Sequence, residues 1–246
     1  MNIVLTIAYD GTRYLGWQKA GAGPSIEQTL QDVLEKILNE KIGLQAASRT
    51  DAGVHASAQT VNFISNQPID LYRLQGSLNR LLPKDLIVRR VEEGKIDFHP
   101  TIECLGKEYH YHVCYGPVQI PQHRFYSWHY PYPLNVENML LAAKELVGTR
   151  DFSSFCNVRK NFTYDSYVRT VSGIEISEIE QDRLRFKITG THFLYKMVRN
   201  LVGTLLCVGS GKLKRTDMRA LIENKNREFA GVAAAAHGLT LHKVFY

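Results

Sequence analysis

Apolar residues along this chain switch between a spacing of two and a spacing of 3.6 in one order, strand–helix–strand–strand–helix–strand, and the order is run through twice. Nothing else restricts the fold as much, because a period-two pattern does not sit on a helix nor a 3.6 pattern on a strand. The opening NIVLTIAYD puts Ile3, Leu5, Ile7 and Tyr9 on one face and Val4, Thr6 and Ala8 on the other, which predicts a strand buried on both sides. Ser25 with Gln28 three residues on forms a capping box ahead of a helix bearing Leu30, Val33, Leu34, Ile37 and Leu38 on one face. GLQAAS and QTVNFI read as short strands on either side of the opening segment. Asp70 then caps a helix with Leu71, Leu74, Leu78 and Leu81 inward, Pro83 ends it, and DLIVRRVE supplies a strand.

The second run begins with KEYHYHVCY (107–115), which alternates strictly. Asn135 caps a helix expected to bury Met139, Leu140, Ala143 and Leu146, with Gly148 at its end. VRTVSGIEISEI and RLRFKITG follow as strands. A long helix is expected over Phe193, Leu194, Met197, Val198, Leu201, Val202, Leu205 and Leu206, then a shorter one near 216–223 and the strand LTLHKVFY. The expected class is α+β, with two similar ferredoxin-like (βαββαβ) halves, residues 1–105 and 106–246. No low-complexity linker separates them, so they are expected to share a mainly antiparallel sheet with a site in a central cleft.

The most apolar stretch, HFLYKMVRNLVGTLLCVG, carries Lys196 and Arg199, which argues against a membrane span. The N-terminus passes at once into a strand pattern, so no secretory signal and a cytoplasmic location are expected. Four cysteines without a CxxC pair read as free thiols. A net charge of +6 and a pI near 9.1 favour a polyanionic partner.

Between two apolar alternations lies SRTDAGVHASAQ, residues 48–59, too polar and too rich in small residues for a core element. An aspartate and a glycine in such a place most often form a simple turn. Here Arg49 stands beside Asp51, and Ala52 and Gly53 remove bulk, so a large flat group can approach the carboxylate.

SRTDAGVHA resembles the catalytic motif of the TruA family of tRNA pseudouridine synthases, with Ser48 where that family usually has glycine. The rest matches in order: YDGTRYLGWQ (9–18), KEYHYH (107–112), DFSSF (151–155), VRTV (168–171), FLYKMVRNLVG (193–203) and HGLTLHKVFY (237–246). A second departure is AAAAHGL, where the family commonly has a proline shortly before the glycine. The resemblance implies that Asp51 is the essential carboxylate, Tyr109 the aromatic residue of the site, Arg199 its basic partner, and Arg49 a residue that places a flipped nucleotide. It also implies a homodimer acting on uridines 38, 39 and 40 of the tRNA anticodon stem-loop, with the cleft binding RNA. No metal or organic cofactor is implied. Arg13, with Arg159 and Lys160 in VRKNF and Lys212, Lys214 and Arg215 in GKLKR, are candidates for phosphate contacts.

Other readings compete. His110, His112 and Cys114 share a strand face and raise the question of a metal site, but three ligands on one strand rarely surround an ion. GAGPSIEQ and GSGK fall short of nucleotide-binding loops. A non-catalytic RNA-binding protein or chaperone on the same fold is the main alternative, and a metal-assisted hydrolase using Asp51 and His55 is a third.

Overall fold

The computed structural model describes residues 1–19, 21–158 and 163–246. The chain packs into two compact units, Met1–Leu105 with Thr240–Tyr246, and Gly106–Leu239. Both mix helices with mostly antiparallel strands.

In the first unit the order is β1 (Asn2–Tyr9), α1 (Ile26–Leu38), β2 (Gln45–Ala46), β3 (His55–Ile64), α2 (Leu71–Leu81) and β4 (Leu86–Gly94). β1 lies between β3 and β4, antiparallel to both. GLQAAS therefore does not flank β1: β2 pairs with β3 instead, Gln45 opposite Asn62, and β4 takes the other side of β1. The helix starts follow the sequence, with Ser25 accepting from the Gln28 N–H and Asp70 from the Arg73 N–H. The reciprocal half of the box at Ser25 is not made, because the Gln28 amide turns to Asp32 one turn on. Ile26, Leu30 and Leu34 of α1 and Leu74 and Leu78 of α2 are buried, each contributing about 1.5–3 kcal/mol. Leu81 lies half exposed at the end of α2. The second face of β1 is covered too: Asn2 donates to the Lys95 and Phe98 carbonyls at 2.7 and 3.1 Å, and Asn62 donates to Asn2 at 2.9 Å.

The second unit contains β5 (Gly106–Tyr115), β6 (Trp128–Tyr130), α3 (Val136–Leu146), β7 (Gly148–Asp151), β8 (Val168–Glu180), β9 (Arg183–Gly190), α4 (Met197–Gly209) and α5 (Met218–Glu223). β9 pairs antiparallel with β5 and β8, β7 extends from β8, and β6 runs parallel to β5. β8 and β9 are joined through Asp182 in a left-handed conformation, φ 58°. In α3 the buried positions are Met139, Ala142, Ala143 and Leu146, while Leu140 is 39% exposed, a rotation of the expected stripe. Gly148 directly follows the C-cap residue Val147, with φ 113°, and also opens β7.

The long helix begins at Met197, later than its apolar pattern suggests. Lys196 before it is left-handed, and main-chain groups ahead of it are taken elsewhere: Tyr195 N–H donates to the Tyr164 hydroxyl at 3.0 Å, and Tyr195 O accepts from Asn157 N–H at 3.2 Å. α4 is buried on nearly every side. The closing strand β10 (Leu239–Phe245) pairs in parallel with β3, Thr240 opposite His55, and residues 240–246 belong to the first compact unit. Among the described residues no helix is long and apolar enough to cross a membrane.

Candidate active site

Asp51 lies in the connection from β2 to β3, and the first-loop motif YDGTRYLGWQ explains its position. The Thr50 carbonyl accepts from Trp17 N–H at 3.0 Å, and Gly53 N–H donates to the Tyr14 carbonyl at 3.3 Å. The Tyr9 and Thr50 hydroxyls meet at 2.8 Å in the interior. Gly16, at φ 97°, lies so close that a Cβ there would sit 2.6 Å from Thr50 O and 3.0 Å from the Asp51 carbonyl carbon. The carbonyls of Gly16 and Trp17 in turn accept from Ile26 and Glu27 at the start of α1. One main-chain lattice thus ties the helix, the first loop and the Asp51 loop together.

The loop entry is fixed by Gln59, fully buried on β3, whose amide accepts from Ser48 N–H at 3.2 Å and donates to the Ser48 carbonyl. Both bonds use the main chain of Ser48, so a serine there keeps the anchoring that a glycine would have. Asp51 is half-buried, Arg49 exposed and Thr50 buried. Val54 N–H closes the turn on Asp51 O at 3.1 Å.

His55 is 2% exposed, and its Nδ1 accepts from Gly11 N–H at 3.1 Å. This buried main-chain bond gives it a structural use and counts against a hydrolase built on Asp51 and His55. Arg13 is engaged by Asp85, its Nε donating to Oδ2 at 2.8 Å, while Tyr14 donates to Oδ1 at 2.8 Å. Burial, then that bond, push the Tyr14 hydroxyl pKa up.

Tyr109 and Arg199 belong to the second unit. Tyr109 is 7% exposed on β5, opposite Ile188, and meets the Phe193 ring edge-on at 5.3 Å. Arg199 is half-buried in the first turn of α4. Its Nε donates to the Ala234 carbonyl at 2.7 Å and its own carbonyl accepts from Ala234 N–H at 3.1 Å. Next to it Asn200, fully buried, donates to Phe155 O at 2.7 Å and Asn157 Oδ1 at 2.8 Å, and accepts from Arg227 at 2.9 Å. Gly203 faces the crossing segment so closely that any side chain would collide with the Val232 carbonyl. DFSSF is structural in the same way: Asp151 accepts from Ser153 N–H at 3.0 Å, Ser154 donates to Leu221 O at 2.7 Å, and Phe152 and Phe155 are fully buried. Neither Asn200 nor Arg227 stands out in the sequence, since only the tertiary fold brings them together.

The basic stretch GKLKR lies past the far end of α4. The helix runs ten residues on from Arg199 to Gly209, about 15 Å along its axis, and Lys212 beyond it rests over the Tyr132 ring at 4.5 Å. Lys214 and Arg215 are exposed beside it. Arg159 and Lys160 lie outside the described residues. GSGK follows a helix instead of preceding one, so it is not a phosphate loop. On the face of β5 away from Tyr109, His110, His112 and Cys114 stand opposite Lys187, Arg185 and Arg183. Burial, then the positive charge of Arg183, push the His112 pKa down to about 4.

A family model described as tRNA pseudouridine synthase matches residues 5–101 and 142–246. The chain belongs to the tRNA pseudouridine synthase family. Within it, the chain is 52% identical over 246 residues to tRNA pseudouridine synthase A 2 of Protochlamydia amoebophila, covering 100% of this chain and 94% of that one. It is 41% identical to tRNA pseudouridine synthase A of Chlamydia muridarum over 249 residues, 100% of this chain and 92% of that one. With the corresponding protein of Thermoanaerobacter sp. it shares 39% over 245 residues, 100% and 99% of the two chains. Family membership therefore spans both units, the one with Arg49 and Asp51 and the one with Tyr109 and Arg199.

Proposed function

We propose that the chain isomerises uridine to pseudouridine in tRNA, at positions 38, 39 and 40 of the anticodon stem-loop, with Asp51 as the essential carboxylate. The full-length similarity to relatives named tRNA pseudouridine synthase A carries this reading. The tethered loop supports it, since it presents Asp51 without burying it.

The reaction breaks the C1′–N1 bond, rotates the uracil, joins C5 to C1′ and releases the C5 proton. No electrons are gained or lost and no group departs for good, so the chemistry calls for neither metal nor organic cofactor. A carboxylate starts it either by attacking C1′ or by taking the C2′ proton. Arg199 supplies the positive charge that favours the ionised carboxylate, Tyr109 stacks on the uracil, and Arg49 guides the nucleotide. A stem uridine must first leave its stack, which costs a few kcal/mol and is offset by phosphate contacts.

In the same reading each unit is a ferredoxin-like half. The first unit supports it with the strand neighbours β4-β1-β3-β2 around two helices. The enzyme works as a cytoplasmic homodimer.

Mapping pseudouridine in a tRNA transcript after incubation tests the assignment. Product is expected at 38–40 and none when those positions are cytidine; product elsewhere, unaffected by that replacement, would refute the site. Tight binding with no product would favour the non-catalytic RNA-binding alternative.

A further inference from the structure

Two cationic residues and a histidine outside the set above collect at one corner of the second unit. Lys107 of β5 stands opposite Gly190 of β9, and Gly190 stands opposite Val171 of β8. Arg169 is two residues before Val171, and His192 two residues after Gly190. By strand alternation Lys107 shares its face with Tyr109, and Arg169 shares its face with the buried Val171. Thr191 N–H donates to Thr170 O at 3.1 Å, which brings the loop holding His192 against the start of β8. The next residue of that loop, Phe193, is the one that meets Tyr109.

Their surroundings set these groups apart from ordinary surface cations. Lys107 is only 7% exposed. Arg169 lies over the Tyr164 ring at 5.6 Å, and its Nη1 donates to Ser166 O and Val168 O at 2.9 and 2.6 Å. Its Nε is buried and has no hydrogen-bond partner among the described residues. Burial, followed by the charges of Lys107 and Arg169, lowers the His192 pKa, so the imidazole feels both cations. The Arg169 Nε, buried without a partner among the described residues, is a donor that an incoming phosphate oxygen would satisfy.

We propose that Lys107, Arg169 and His192 form a grip for the RNA backbone phosphate next to the nucleotide whose base meets Tyr109. The inference rests on the function proposed above and deepens it. Arg169 offers a planar donor edge suited to a phosphate, Lys107 a point charge, and His192 a donor on the exposed rim. The grip reads no base, in keeping with one enzyme acting on neighbouring uridines whatever their sequence context.

The test measures binding of the full-length protein to a tRNA transcript between about 50 and about 200 mM salt, together with kcat and KM, for Arg169→Gln, Arg169→Lys and His192→Gln. Arg169→Gln is expected to raise KM and Kd about tenfold and to reduce the slope of log affinity against log salt by about 1, with kcat at saturation kept. Arg169→Lys restores most of the affinity. His192→Gln, at an exposed position, shows a smaller rise in KM that grows at lower pH. Unchanged Kd and salt slope in both glutamine variants would overturn the grip. So would a fall in kcat and melting temperature without a change in slope, which marks Arg169 as structural. The underlying function is read separately, from whether wild type forms pseudouridine at all.

Discussion

The Asp51 loop and the first turn of α4 each hold a proposed reacting residue, and they hold it by different means. Asp51 is placed chiefly by main-chain bonds with Tyr14 and Trp17 and by the closely packed Gly16, the Gln59 side chain holding only the loop entry at Ser48. Arg199 is placed by side chains: Asn200, Asn157 and Arg227 lock the helix start, and the guanidinium itself grips Ala234. A site tied through the main chain tolerates changes of side chain but not added bulk. A site tied through a polar network fails when one member is removed, because the others are left buried without partners.

The contrast can be broken most severely at the glycines. Gly203→Ala sets a methyl against the Val232 carbonyl, and a loss of about 3 kcal/mol or more, seen in thermal melting, is expected. Gly16→Ala combines a Cβ 2.6 Å from Thr50 O with a left-handed backbone at φ 97°, costing about 1–3 kcal/mol. Its distinguishing sign is a drop in kcat larger than the drop in stability explains, since the Asp51 loop moves. Asn200→Ala, which strands Arg227 and the Phe155 carbonyl, is expected to cost about 2–3 kcal/mol in denaturant unfolding. Tyr9→Phe removes the hydroxyl contact to Thr50 and should cost about 1 kcal/mol with kcat nearly intact. If Tyr9→Phe lowered kcat more than Gly16→Ala, the loop would depend on side chains after all and the contrast would collapse.

The same division explains what the sequence disclosed. Helix starts at Ser25, Asp70 and Asn135 are local, because one side chain meets an N–H three residues on, and all three form as read. The start of α4 was hidden because Phe193 and Tyr195 serve partners distant in the chain. β6 and β7, of three and four residues, are too short to show alternation, and the pairings of β2 and β10 with β3 depend on the assembled sheet. For the site, the composition of SRTDAGVHA singled out Asp51 and Arg49, whereas Tyr109 and Arg199 drew notice only through resemblance. Lys107, Arg169 and His192 needed the strand register before they could be seen as one group.

Asp51 as the reacting carboxylate is tested most directly by tritium release. The protein is incubated, with EDTA and no added cofactor, with tRNA transcript tritiated at uridine C5, and tritium passing to water is compared for wild type and Asp51→Asn. Release by wild type and a fall of at least ~10³-fold in the variant, with tRNA binding retained, is the predicted result. Equal release by both proteins, or none by a wild type that binds the transcript tightly, would contradict it.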